Sequence, residues 1–241
     1  MKTKTFNLGI VIYKDVQPLD VIGPWEVFSF WKNAIDQPVN MVLISEDEGF
    51  IECSNQIILK SHCDFKSAPQ LDCLIVPGGG GRVIQSQNKA LLAFVRQQSK
   101  KCKYILSVCT GMFLLYHAGV LKDKSVATYW RAIPEMLELD QVHLSEKRIV
   151  KSGNVWTSGG VSSGIDLALE MVKEISGKKI AGQVQMLLEY FPSAKVYCQQ
   201  STAKTLPPYS NQSADQSADQ SAEIQPPFLP KYIKNYLDKN K

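Results

Sequence analysis

Nowhere does this chain hold the ~20 consecutive apolar residues that a membrane span requires, and it is expected to be soluble and cytoplasmic. Nor do its basic residues gather into a stripe. The formal charge is only +4 and the lysines and arginines are scattered, so no nucleic-acid partner is indicated. The six cysteines, Cys53, Cys63, Cys73, Cys102, Cys109 and Cys198, are too sparse for a disulfide scaffold and include no CxxC pair. Histidines are scarce as well: His62, His117 and His143 lie far apart, and no zinc or other metal site is expected. The glycine run is not followed by the GK[ST] of a phosphate-binding P-loop. Two lysines do precede the apolar run Phe6 to Tyr13, but Lys14 and Asp15 interrupt it and no small-residue cleavage site follows, so it is assigned to a buried strand rather than a signal peptide.

What remains is the composition of a globular protein, 44% hydrophobic and 21% charged, which excludes disorder throughout. Apolar runs rich in β-branched residues recur at Phe6 to Ile12, Val39 to Ile44, Leu71 to Val76 and Tyr104 to Val108. Nearly unbroken runs suit strands covered on both faces, as in a parallel sheet. Helical spacing occupies Leu19 to Trp31, Lys89 to Gln98 and Gly111 to Val120, and strand alternating with helix points to a doubly wound α/β fold. A helix at Arg131 to Leu139 is expected next, then strands Arg148 to Lys151 and Asn154 to Thr157 meeting across Ser152 and Gly153. Helices Ser163 to Ile175 and Lys178 to Tyr190 follow, with Ser162 or Ser163 as N-cap of the first. From Pro192 the apolar periodicity stops. Residues 212–223 read QSAD, QSAD, QSAE, expected to be a solvated linker, and Pro226 to Leu237 regains aromatic and aliphatic residues that suit docking on the body or on a partner subunit. The expected division is a folded domain at 1–191 and a polar tail at 192–241.

The segment KYILSVCTGMFLLYHAG, Lys103 to Gly119, runs a buried strand through Cys109, Thr110 and Gly111 into a helix. Cys109 must therefore occupy the strand-to-helix turn, as in a nucleophile elbow with sulfur in place of oxygen. A helix N-terminus favours thiolate over a thiol of ordinary pKa ~8.5. The turn Pro77 to Gly81 (PGGGG) follows another buried strand and opens on the same sheet edge, where its backbone N–H groups can donate to developing negative charge. By itself such a run is more often only a turn. Asp20, in DVIGPWEVF, suits two roles equally: a proton carrier beside Cys109, or a helix N-terminal acid balancing the dipole.

Taken together, DVIGPWEVF at 20–28, LIVPGGGG at 74–81, SVCTG at 107–111, ATYWRA at 127–132 and GNVWTSGGVSSGIDLALEMV at 153–172 resemble the DJ-1/PfpI superfamily. Among its branches they are most similar to the isonitrile hydratases and to the amidotransferase-like domains of AraC-type regulators. The resemblance spans roughly residues 6–191. It implies a flavodoxin-like, mostly parallel sheet flanked by helices, of class I glutamine amidotransferase type, and a homodimer. It further implies Cys109 as the strained elbow nucleophile, Asp20 as its acidic partner, Thr110 as the adjoining residue, and the N–H groups of Gly79 and Thr110 as an oxyanion-type pocket.

The activity implied is a cofactor-independent hydration of an isonitrile to an N-substituted formamide. Gly79, Gly80, Trp25, Tyr129 and Trp130 are the expected substrate-binding residues, although tryptophans more often serve core packing. A cysteine-based redox sensor or ligand-binding protein is the alternative from another class, and a glyoxalase or deglycase is a third. The sequence departs from its relatives in three places. Tyr129 stands where they commonly read histidine, Thr110 where peptidase-like members place histidine, and the tail is too short and repetitive to be the regulators' helix-turn-helix domain.

Overall fold

A computed structural model describes residues 4–35 and 37–192, so the expectations for the QSAD repeat and for Pro226 to Leu237 lie outside the described residues. The chain opens with β1 (Phe6–Val11), α1 (Pro18–Ala34) and β2 (Val39–Ser45). A small hairpin, β3 (Phe50–Glu52) and β4 (Ile58–Lys60), precedes the two-residue β5 (Cys63–Asp64). Then come β6 (Cys73–Val76), α2 (Arg82–Gln85), α3 (Lys89–Ser99), β7 (Tyr104–Ser107) and α4 (Gly111–His117). The last part holds β8 (Lys124–Val126), α5 (Ile133–Leu137), β9 (Val142–Leu144), β10 (Ile149–Ser152), β11 (Val155–Ser158) and α6 (Ser163–Leu187).

The main sheet has the order β10-β11-β7-β6-β1-β2-β5, parallel everywhere except the β10–β11 hairpin. All of β6 and β11 and nearly all of β1 and β7 are buried, as expected of strands covered on both faces. One group of helices pairs α1 with α6, the other gathers α2 and α3 on α4. The sheet grows from β1 toward β2 on one side and toward β6 on the other, so the chain reverses its winding between β1 and β6. The carboxyl ends of strands at such a switch point form a crevice into which following loops project. The loop after β1 leads into the first turn of α1 and Asp20, and the loops after β6 and β7 carry the PGGGG turn and Cys109.

Several expectations change in detail. The strand expected from Leu71 begins at Cys73, because the Asp72 carboxylate turns aside to accept the Asn7 N–H at 3.0 Å. The helix after Cys109 stops at His117, with Gly119 at φ 75°, the left-handed conformation that ends helices. The helix expected at Arg131 to Leu139 divides into a 3₁₀ turn at Trp130–Ala132 and the short α5, where Pro134 occupies the first turn. The two C-terminal helices are separated as expected, at Gly177 (φ 84°, ψ 165°), and only the end of the second differs, at Leu187. Neither serine caps the first: Ser162 holds the N-cap place without a capping bond, while the Ser163 hydroxyl donates to the Gly159 carbonyl. The pairs β3–β4 and β8–β9 were not foreseen, since strands of three residues carry too little alternation to read.

Candidate active site

Cys109 has φ 59°, a left-handed conformation that costs a side-chain-bearing residue about 1–2 kcal/mol. The turn is held from three sides. The Cys109 N–H donates to the Gly159 carbonyl at 2.8 Å, its carbonyl accepts the Thr128 hydroxyl at 3.0 Å, and the Gly111 N–H donates to the Val108 carbonyl at 2.9 Å. Gly111 is obligatory: a Cβ there would lie 2.0 Å from the Val76 carbonyl oxygen, so no other residue lets the elbow sit against β6. The elbow expected from the strand–Cys–Thr–Gly pattern is therefore present, and Cys109 is only 5% exposed.

Asp20 lies in the first turn of α1 and is fully buried. One oxygen, Oδ2, accepts the Gly78 N–H at 2.9 Å, while Oδ1 has no conventionally aligned partner. The Cys109 thiol interacts with this carboxyl by a side-chain hydrogen bond that favours its charged form, as does the Gly78 N–H, but burial outweighs both and lifts the Asp20 pKa to about 7. Asp20 thus acts on the cysteine rather than serving only the helix dipole.

The thiol itself departs from expectation. Burial first, and the Asp20 charge second, push Cys109 up to about 12. These outweigh the backbone N–H groups of Val161 and Thr110 and the Thr110 hydroxyl, which favour thiolate. The seven-residue α4 cannot offset removal from water beside an anion, so at neutral pH the sulfur carries its proton.

The PGGGG turn packs directly on the elbow. A Cβ at Gly78 would lie 2.5 Å from both the backbone nitrogen and Oγ1 of Thr110. The Gly79 N–H donates to Thr110 Oγ1 at 3.1 Å, so it is engaged by the neighbouring hydroxyl instead of standing free as an oxyanion donor. The second backbone donor at the sulfur is Val161, beside Thr110. Val161 has φ 43°, a rare state for a β-branched residue and one that clusters at functional sites. Its neighbours Gly159 and Gly160 follow a buried strand much as PGGGG does. That was the available signal, but the backbone strain itself has no signature in sequence. Tyr13 and Thr128 were likewise not singled out.

The other expected residues divide. The Tyr129 ring lies against Gly160, where a Cβ would meet it at 2.4 Å, and so borders the loop that brings Val161 to the sulfur. Trp130 is 44% exposed and edge-on to Tyr129 at 5.8 Å, on the outer side of this group. Gly80 is exposed with open space around its Cα. Trp25 is not brought to the site: its ring stacks on His62 at 5.5 Å, beside β5. That strand is four places from β7, about 19 Å at the usual strand spacing. Five residues along a helix turn a side chain by about 140°, which is why Trp25 leaves the direction Asp20 takes. Near the site, the Arg82 guanidinium forms a bidentate ion pair with Glu135 and lies 4.2 Å from the Phe113 ring centroid, joining α2 to α5. Among the described residues no group of three or more potential ligands suits a metal, and no helix is long and apolar enough to cross a membrane.

A strained, neutral thiol beside a buried carboxyl that titrates near neutrality, with amide donors at the sulfur, can pass a proton to and from a small electrophile. The same sequence matches the DJ-1/PfpI family over residues 8–174. The chain belongs to this family. It is 33% identical to the isonitrile hydratase of Pseudomonas putida over 187 residues, 78% of this chain and 79% of that protein. It is also 26% identical to the HTH-type transcriptional regulator GbdR of Pseudomonas aeruginosa, over 52% of this chain but only 34% of the regulator. A crystal structure of a ThiJ/PfpI family protein from Pseudomonas syringae superposes with a TM-score of 0.74 at 23% identity, covering 88% of this chain and 86% of that one, which establishes the shared fold. DJ-1/PfpI members thus include an enzyme that resembles this chain over most of its length and a regulator that resembles it over a part.

Proposed function

We propose that this DJ-1/PfpI protein is an isonitrile hydratase-like hydro-lyase, converting R–N≡C to R–NH–CHO with Cys109 as nucleophile and Asp20 as proton carrier. The observation that carries the proposal is the placement of the strained Cys109 elbow, φ 59°, beside the fully buried Asp20 carboxyl, whose Oδ2 is held by the Gly78 N–H at 2.9 Å. Likeness to the Pseudomonas putida hydratase supports the substrate class.

In the first step ionised Asp20 takes the thiol proton as sulfur bonds to the terminal carbon, and the carboxylic acid returns that proton to the same carbon. The product is the thioimidate R–N=CH–S–Cys109. The N–H groups of Thr110 and Val161 and the Thr110 hydroxyl stabilise the negative charge that gathers on sulfur. In the second step Asp20 accepts a proton from water as the hydroxyl oxygen bonds to carbon and passes that proton to nitrogen, giving R–NH–CH(OH)–S–Cys109; the C–S bond then breaks as the remaining hydroxyl proton passes to sulfur, releasing the formamide and restoring the thiol. A carboxyl near pKa 7 exchanges a proton in either direction at neutral pH, as both steps require. The isonitrile is small and uncharged, in keeping with a site bordered by Tyr129, Trp130 and glycines.

Incubating the purified protein with cyclohexyl isocyanide should yield the formamide, whereas Cys109→Ala should yield none. Methylglyoxal, run in parallel, tests the carbonyl-directed alternative: turnover there with no formamide would replace the hydratase assignment. The sensor alternative needs a sulfur that peroxide reaches as thiolate, whereas Cys109 is buried, and burial and the Asp20 charge both raise its pKa. Preferential oxidation of Cys109 over Cys53 at low peroxide would revive it.

A homodimer is part of the proposal. Leu19 and Ile22 on α1 and Phe50, Ile57 and Ile58 on the β3–β4 hairpin are all exposed. The hairpin is tied to the β1–α1 loop by the Asp15 N–H to Glu52 carbonyl and Ser54 N–H to Val16 carbonyl bonds, both 2.9 Å. A second copy covering this apolar region should sediment as a dimer, and Phe50→Glu with Ile58→Glu should sediment as a monomer. Unchanged dimerisation would place the interface elsewhere.

A further inference from the structure

Tyr13, just beyond β1, is buried and takes no part in the chemistry above. Its hydroxyl donates to the Pro77 carbonyl at 2.8 Å. That carbonyl belongs to the same peptide group as the Gly78 N–H, which donates to Asp20 Oδ2 at 2.9 Å. One amide therefore accepts from a phenol at its oxygen and donates to a carboxylate at its nitrogen. Next to it the Gly78 carbonyl accepts the Gln17 N–H at 2.8 Å, and Val16 bridges Gly79, so the amide plane is held.

We infer that Tyr13 is a positioning residue for Asp20, acting through the Pro77–Gly78 amide: its O–H polarises the peptide and so strengthens the N–H donation that holds the carboxylate charged. An amide whose carbonyl accepts a hydrogen bond becomes a better N–H donor, the cooperative strengthening seen in hydrogen-bond chains. The groups facing this chain are few. Asp20 on α1, Cys109 after β7 and Arg82 on α2 all act electrostatically on the Tyr13 phenol, the first two disfavouring its ionisation and Arg82 favouring it. Burial is the largest influence, so Tyr13 stays protonated and remains a donor through the neutral range. Phenylalanine in its place would fill the same space without the donor, leaving the Pro77 carbonyl unpaired and the Gly78 N–H less polarised.

The inference deepens the proposed role of Asp20 and rests on it for its meaning, but Asp20 can be titrated without turnover. The midpoint of its carboxyl stretch is read by infrared difference spectroscopy on isotope-labelled protein, with Asp20→Asn identifying the band. Strengthening of about 10–30% per bond corresponds to a few tenths of a pH unit. Tyr13→Phe should raise the Asp20 midpoint by that amount, and 3-fluorotyrosine at position 13, a stronger donor of the same shape, should lower it. A purely structural role would move neither, or move both in the same direction, and either result overturns the relay. The rate of Cys109 alkylation against pH is recorded in the same proteins. An inflection at the Asp20 midpoint that shifts with it supports the relay together with the Asp20–Cys109 partnership. Carboxyl midpoints of opposite shift with no inflection in alkylation support the relay and dismiss the partnership.

Discussion

Asp20→Asn is expected to stabilise the protein in alkali, destabilise it in acid, and abolish turnover throughout. Asp20 is fully buried, and burial raises its pKa from 3.8 to about 7. A carboxyl whose folded pKa is raised binds its proton more tightly in the folded chain. The stability it contributes is therefore complete below the unfolded pKa, falls as pH rises toward 7, and is gone above. A rise of roughly three units, at about 1.36 kcal/mol each, withdraws about 4 kcal/mol between acid and pH 8. Cys109 stays neutral over this range, being pushed up to about 12. Asparagine keeps an oxygen for the Gly78 N–H but puts an amide nitrogen where Oδ1 has no aligned partner. A buried unpaired donor costs about 1–3 kcal/mol. The variant should then exceed the parent by about 1–3 kcal/mol at pH 8 and fall below it by a similar amount at pH 4. Urea unfolding followed by tryptophan fluorescence measures both proteins at each pH, and the difference cancels every other titrating group. A stability difference that stays flat across this range would refute the reasoning, because the carboxyl would then titrate alike in the folded and unfolded chains.

Four further substitutions test this reading of the site. Cys109→Ala should leave no formamide production while thermal unfolding shows an intact fold, since the turn is held by backbone bonds to Gly159 and Val108 that alanine keeps. Thr110→Val, of similar volume, removes the hydroxyl that pairs with the Gly79 N–H and favours negative charge on the sulfur. Its kcat should fall by about 10²-fold, the scale for losing one stabilising donor, with a loss of about 1–3 kcal/mol in urea unfolding. Gly78→Ala would press a methyl to 2.5 Å from two atoms of Thr110; about 1–3 kcal/mol of stability should be lost and Cys109 alkylation kinetics altered. Trp25→Ala should leave kcat unchanged, because its ring stacks on His62; a loss of kcat would return Trp25 to the site.

The α/β architecture was legible because its signals are local and repeated: apolar runs of strand length alternating with helical spacing, and glycines after strands. The break at Gly177 was legible too, as two helices flanking one glycine. What escaped notice was small or distant. The three-residue strands of the β3–β4 and β8–β9 pairs are too short to show a period. Val161 joins the sulfur only because the loop after β11 folds beside the loop after β7, and those two strands are neighbours in the sheet though far apart in the chain. Trp25 stacks on His62 instead of following Asp20 because of helical phase, which motif proximity does not express.

Charge states divide along the same line. That Cys109 must sit at a strand-to-helix elbow, with Gly111 to let it close, follows from residue order alone, because hydrophobic period and turn chemistry are properties of neighbouring residues. Whether that cysteine is a thiolate or a thiol was not decided there. The helix end argued for thiolate, and only the folded chain removes water from the sulfur and places the buried Asp20 carboxyl against it. Desolvation and long-range charge depend on what surrounds an atom in space, so the tertiary structure alone sets the protonation of this pair.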